Sequence, residues 1–249
     1  MTVAVSLSFR LGGTDGVSVE AAKWQWALAE LGFEVRTVAG EGTADVIVAG
    51  LAPGAWLTGR ESPEIELDRL RIALADADLV VVENLCSLPL NPRSSAAVAA
   101  LLAGRPALLR HHDLPWQRAR FAHCPPPPND PAWLHVAVSD LSAGQLAERG
   151  YRATRLYNHF DLDGPCGDRT ATREALGLPD DRLLVLQPTR AISRKRVGAG
   201  LALAEALDAA FWLLGGPEEG YHDQLEQILM DAKTTVLQGA KGPMAATGG

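Results

Sequence analysis

Residues 183–217 read LLVLQPTRAISRKRVGAGLALAEALDAAFWLLGGP. The apolar run 183–187 has the length of a strand and leads into a loop carrying Arg190 and Lys195. An amphipathic helical stretch follows, and a second apolar strand runs into Gly215-Gly216-Pro217. Strand, loop, helix, strand is the unit from which parallel α/β sheets are built. The loop follows a strand's carboxyl end and precedes a helix N-terminus, where such sheets bind ligands and free N–H groups face an anion. A cation pair fixed there makes a seat for a diphosphate. Taken alone, Arg194-Lys195-Arg196 also reads as a solvated basic turn, and Gly215-Gly216-Pro217 as a plain β-turn.

The same alternation fills the first half. Strands are expected at 3–9, 33–38, 44–51, 79–82, 107–110, 136–139 and 154–157. Between them Val17, Ala21, Trp24, Leu28 and Leu31 recur at helical spacing, as do Leu67, Leu70 and Leu74, and Ala97, Val98, Leu101 and Leu102. Residues 141–149 form a further short helix. The fold class is therefore α/β, a doubly wound, Rossmann-like parallel sheet with helices on both faces. Pro125 to Pro128 cannot enter a helix or central strand, so 123–131 is a loop within the first domain. The Gly, Asp and Arg-rich stretch beginning at Asp161 is the better boundary. The expected domains are 1–160, a linker 161–180, and 181–249.

The net charge of −7 over 249 residues offers no basic footprint for nucleic acid. No apolar run approaches the ~20 residues of a membrane span. No charged-then-apolar export segment precedes Val3. Cys86, Cys124 and Cys166 are odd in number and lack metal or redox spacing, which suits buried thiols in a reducing cytoplasm.

After the first strand, Gly12, Gly13 and Gly16 allow close backbone approach, and the helix behind them is expected to offer N–H groups to an anion, with Asp15 or Ser18 as its cap. This G-G-x-x-G spacing differs from the dinucleotide G-x-G-x-x-G, although Glu41 could serve as the acid of a nicotinamide-dependent enzyme. The turn is equally ordinary Rossmann architecture. Arg110-His111-His112-Asp113-Leu114 lies after another strand, hence on the same sheet edge. Adjacent histidines on an extended chain face opposite ways, so a metal site is not expected there, and a structural role in the loop stays open. Asp76-Ala-Asp78 sits at the wrong end of its strand for a metal, and Asp161-Leu-Asp163 fits one poorly.

Residues 11–35, LGGTDGVSVEAAKWQWALAELGFEV, together with the loop of Arg190 and Lys195, resemble retaining, family-4-type glycosyltransferases of the GT-B fold. The resemblance implies transfer of a hexose-type sugar from a nucleoside-diphosphate donor to a hydroxyl of a sugar or glycan acceptor, with no metal cofactor. It implies that Gly12, Gly13 and Gly16 lie beside donor phosphates and acceptor, that His112 with Asp113 lies close to the transferred sugar, that Arg190 and Lys195 hold the diphosphate, and that Gly215 and Gly216 lie next to the base. Asn158-His-Phe-Asp161 resembles the family's interdomain turn. The family's carboxylate-bearing donor segment has no counterpart here, so a truncated second domain, an exposed sheet edge, self-association through it and poor turnover are expected. A non-catalytic remnant or binding module is the alternative.

Overall fold

The computed structural model describes residues 2–54, 61, 63–160, 162–164 and 166–239. Asp161 of the second acidic triplet and the terminal stretch 240–249 lie outside the described residues. The chain divides into two compact units, Met1–Phe160 and Asp161–Gly249.

In the first unit, β1 (Val3–Leu11), β2 (Glu34–Gly42), β3 (Val46–Ile47), β4 (Leu79–Glu83), β5 (Ala107–His111), β6 (Trp133–Ala137) and β7 (Ala153–Arg155) form one sheet in the order β3-β2-β1-β4-β5-β6-β7. Every pairing is parallel. Helices α1 (Gly16–Glu30), α2 (Leu67–Leu74), α3 (Pro92–Leu102) and α4 (Asp140–Glu148) make the crossovers. Alternate residues of the central strands serve opposite faces. Val5, Leu7, Val82 and Leu109 pack with Leu70 and Leu74 of α2 and Val98 and Leu102 of α3. Ala4 and Val81 pack with Trp24 and Leu28 of α1 on the other face. This two-sided cover explains why β1 and β4 are almost continuously buried.

Local chemistry sets the helix starts. Asp15, Asn91 and Ser139 cap α1, α3 and α4 with side-chain oxygens, and Pro92 occupies the first turn of α3, where no N–H is needed. The strand expected over 44–51 is cut to Val46–Ile47, followed by a 3₁₀ turn at Ala49–Leu51. There the backbone climbs over β2, and a Cβ on Gly40 would stand 2.1 Å from Ala52 N.

The second unit opens with α5 (Arg169–Leu176), capped by Asp168 and stopped by left-handed Gly177, inside the stretch read as linker. Strands β8 (Leu184–Gln187), β9 (Ala210–Leu213) and β10 (Val236–Gln238) form a parallel sheet in the order β10-β9-β8. Its crossovers α6 (Val197–Ala206) and α7 (His222–Met230) join one core with Val185, Phe211 and Leu213 through Val197, Leu201 and Leu225. On β8, Leu186 points away from that core and is exposed.

Candidate functional site

In the first unit, β1 and β5 run parallel on either side of β4. The Gly12–Gly16 loop and the His112 loop therefore share the carboxyl edge of the sheet. β5 extends to His111, one residue beyond the expected strand, and its extended backbone sends the two histidines to different partners.

His112 donates its backbone N–H to Asn84 Oδ1 at 3.1 Å. Asn84 itself sits in the left-handed region at φ 58° and donates to Arg110 O at 2.9 Å. The His112 imidazole lies with a buried Nε2 at 3.6 Å from Glu83 Oε2, too long for a hydrogen bond. Below it, Arg110 Nη1 donates to both oxygens of Glu83 at 3.1 Å, while Nη2 reaches Asn158 at 3.2 Å and Glu20 at 3.4 Å. The guanidinium lies over the Trp24 ring. Lys23 pairs with the other oxygen of Glu20. Asp113 is engaged by Arg118, whose Nε donates at 3.0 Å.

His111 turns into the sheet. Its Nδ1 lies 2.7 Å from Ser87 Oγ and its Nε2 2.8 Å from His135 Nδ1, and His135 Nε2 lies 3.2 Å from Asn129 Oδ1. With the Asn129 oxygen accepting, His135 carries its proton on Nε2 and His111 does likewise, which leaves His111 Nδ1 to accept from the Ser87 hydroxyl, a donor it shares with the Arg110 carbonyl at 3.3 Å. Burial pushes His135 down to about 4. Burial first, then the neighbouring His135 and His112, holds His111 well below its ordinary value. This pair is neutral near pH 7 and fills the structural role that had been open for the histidine loop.

The glycine loop is organised around Asp15 and Thr43. Asp15 Oδ1 accepts from the N–H groups of Val17 and Ser18, each at 3.1 Å, and Oδ2 accepts from Ser18 Oγ at 2.7 Å. The α1 N-terminus is thus occupied by a carboxylate from its own chain, which opposes an anion there. A Cβ on Gly12, at φ +72°, would stand 2.7 Å from Thr43 Cβ, so this glycine lets the ends of β1 and β2 meet. A Cβ on Gly13 would meet Asp15 Oδ2 at 2.9 Å, whereas Gly16 has open space. Glu41, the acid a dinucleotide ribose would need, is paired with Arg10 at 2.7 Å.

In the second unit, the loop after β8 and the turn after β9 are zipped together. Ala191 N–H donates to Gly216 O at 2.9 Å, and Glu218 N–H donates to Ala191 O at 3.1 Å. A Cβ on Gly215 would stand 2.5 Å from Thr189 O and 2.6 Å from Arg190 Cα, so only glycine admits this approach. Gly216 has open space. Arg190 Nη1 pairs with Glu218 at 2.7 Å. Lys195 ends a 3₁₀ turn, Ser193–Lys195, and its carbonyl accepts from Gln187 Nε2 at 3.0 Å. Its ammonium is exposed, with no ion pair among the described residues. The next residue, Arg196, enters α6 in the left-handed region at φ 51°, and among the described residues no side chain caps that helix. The α6 N-terminus is open where that of α1 is closed.

Among the described residues no three His, Cys, Asp or Glu side chains cluster as metal ligands. Asp76 is held by Arg36 through two hydrogen bonds, and Asp78 accepts from Val3 N–H at 2.7 Å, both at the amino end of the sheet. No helix among the described residues is long and apolar enough to cross a membrane. The expectation of buried thiols holds for Cys86, whose burial pushes its pKa up to about 12. It fails for half-buried Cys124 in the proline loop and for exposed Cys166 ahead of α5.

No family model matches the chain. In sequence it is similar to mannosylglucosylglycerate synthase of Thermotoga maritima, 26% identical over 240 residues that cover 81% of this chain and 56% of that protein. It is also similar to the protein of the same name from Petrotoga mobilis, 24% identical over 238 residues, covering 76% and 53% respectively. The chain spans about half the length of these curated relatives. In structure it is similar to Anabaena HepE, solved in complex with UDP and glucose, with a TM-score of 0.55, 15% identity, and coverage of 94% of this chain and 69% of that one. A glycosyltransferase from Rickettsia africae gives a TM-score of 0.57 at 11% identity, covering 97% and 69%. The fold is the Rossmann-like one of these neighbours.

Proposed function

We infer that the chain belongs to a retaining glycosyltransferase that moves a hexose from a nucleoside-diphosphate donor to an acceptor hydroxyl. The observation that carries this reading is the uncapped N-terminus of α6, with Arg190 and Lys195 in the loop that leads into it. An open helix start with two cations at a strand's carboxyl end is built to receive a diphosphate. The contrast with α1 favours the second unit as the phosphate seat, because Asp15 already fills the other helix start. The relatives' name, which contains a mannosyl group, and the UDP and glucose held by HepE support a nucleotide-linked hexose.

In this reading the bond between the sugar's anomeric carbon and the diphosphate oxygen breaks, the acceptor oxygen takes its place, and the acceptor's hydroxyl proton passes to the departing diphosphate oxygen. Negative charge grows on the departing diphosphate, and Arg190 and Lys195 meet it without requiring a metal. Gly216, where a Cβ would meet nothing, leaves space beside the base, and Gly215 lets the loops after β8 and β9 meet next to it. His112, with its backbone fixed by Asn84 and its ring near the Glu83 carboxylate without a hydrogen bond to it, offers a polar group to a sugar hydroxyl at the edge of the first unit.

The test is a thermal-shift screen of the full chain with UDP, GDP, ADP and NAD, followed by turnover assays of the matching sugar nucleotides with sugar acceptors. Ligand binding to the native state raises its apparent melting temperature. A shift with a nucleoside diphosphate and sugar transfer support the reading. A shift without transfer selects a binding module, and a shift with NAD alone selects a nicotinamide enzyme.

A further inference from the structure

The candidate phosphate ligand Arg190 is already engaged. Its guanidinium holds Glu218 at 2.7 Å, and Glu219 stands 3.9 Å away. This is more than a chance meeting of surface side chains. The backbone bonds that join Ala191 to Gly216 and Glu218, with the contact that only Gly215 permits, fix both partners at the same point. Arg190 keeps only 18% of its side-chain exposure, so its charged end has little room to turn elsewhere. Glu219, in the left-handed region at φ 55°, brings a second carboxylate to the same side.

A carboxylate and a phosphate offer the same thing to a guanidinium, namely paired oxygens carrying negative charge. Two such anions do not share one Nη without mutual repulsion. We propose that Glu218 is an internal counter-ion that stands in place of a phosphate oxygen on Arg190, and that an incoming diphosphate must displace it. The proposal rests on the diphosphate reading of this loop. It makes Glu218 the residue that sets how weakly the nucleotide is held. Lys195, exposed and without an ion pair among the described residues, is then the cation that meets the ligand first. The opposite role would make Glu218 a brace that aims Arg190 at the ligand, and the two roles differ in sign.

Titration calorimetry of the full chain with UDP and GDP separates them, comparing wild type with Glu218→Gln, Glu219→Gln and Arg190→Ala. Glutamine keeps the shape of the side chain and removes its charge, while the backbone bonds of residue 218 remain. Glu218→Gln should tighten diphosphate binding about five-fold, the scale of a partly exposed ion pair. Glu219→Gln should do less, and binding of the uncharged nucleosides uridine and guanosine should not change. Unchanged or weaker diphosphate binding in Glu218→Gln, with Arg190→Ala clearly weakened, overturns the counter-ion role and leaves the diphosphate reading standing. Binding that is indifferent to Arg190→Ala, or absent throughout, overturns both.

Discussion

Glu83 and Arg110 are register partners in the β4–β5 ladder, and their side chains form an ion pair with no solvent exposure on either. Glu83 ends β4 and Arg110 is the last residue but one of β5, so the pair lies at the carboxyl edge beneath His112. Glu20, Asn158 and the face of Trp24 complete the surroundings of the guanidinium. A pair of this kind adds little net stability, because desolvation offsets most of the attraction, yet either charge left alone is costly.

Arg110→Met should therefore destabilise the first unit by about 3–5 kcal/mol in urea denaturation. Adding Glu83→Leu should recover much of that loss, since no buried carboxylate then lacks its partner at this point. A double variant as unstable as the single one would show that the strand ends are held by something other than charge balance.

The buried histidines predict acid sensitivity. An unfolded imidazole takes up its proton near pH 6.5, whereas His135 in the fold does so only at about 4 and His111 well below its ordinary value. Below pH 6.5 the unfolded chain binds more protons than the fold, so stability falls with falling pH and is complete above that value. His135 alone accounts for roughly 3 kcal/mol between pH 6.5 and 4. Urea midpoints at pH 7.5, 6 and 5 should fall in that order, and His135→Gln should flatten the slope. An unchanged slope in the variant would assign the acid loss elsewhere.

Asp15→Ala should cost about 1 kcal/mol, the worth of a lost N-cap. Nucleoside-diphosphate affinity should be unaffected, because the open helix start is that of α6. A several-fold change in calorimetric affinity would place the α1 loop in the donor seat after all.

Arg190→Ala and Lys195→Ala should each weaken UDP or GDP binding by about 1.5–3 kcal/mol, the range for hydrogen bonds to charged groups. The melting temperature should barely move for Lys195→Ala, whose side chain is exposed and makes no ion pair among the described residues. Unchanged affinity in both variants would rule this loop out as the diphosphate site.

Gly215→Ala puts a methyl group 2.5 Å from Thr189 O, so the two loops must part. The expected outcome is a loss of about 1–3 kcal/mol, as for other overpacked sites, together with weaker diphosphate binding. Limited proteolysis within residues 188–196, compared with wild type, checks whether the loop has come away.

Periodicity alone determined the parallel α/β architecture, because runs such as 79–82 can be buried on both sides only in a sheet with helices on each face. The positions of Gly12, Arg190, Lys195 and Gly215 after strands were legible for the same reason, since strand direction places every such loop on the carboxyl edge. Charge placement was not legible. Glu83 closes an apolar run and Arg110 another, but only the β4–β5 register sets them opposite each other. Ser87, His111, His135 and Asn129 join over as many as 48 residues of chain, a connection no local spacing encodes. Asp15 was readable as a cap, but only the folded loop decided that both of its oxygens would be engaged. Glu218 meets Arg190 because β8 and β9 are neighbours and Gly215 lets their loops touch. Local pattern specifies which groups lie at the edge, and the long-range register and close backbone contacts decide which of them are already paired.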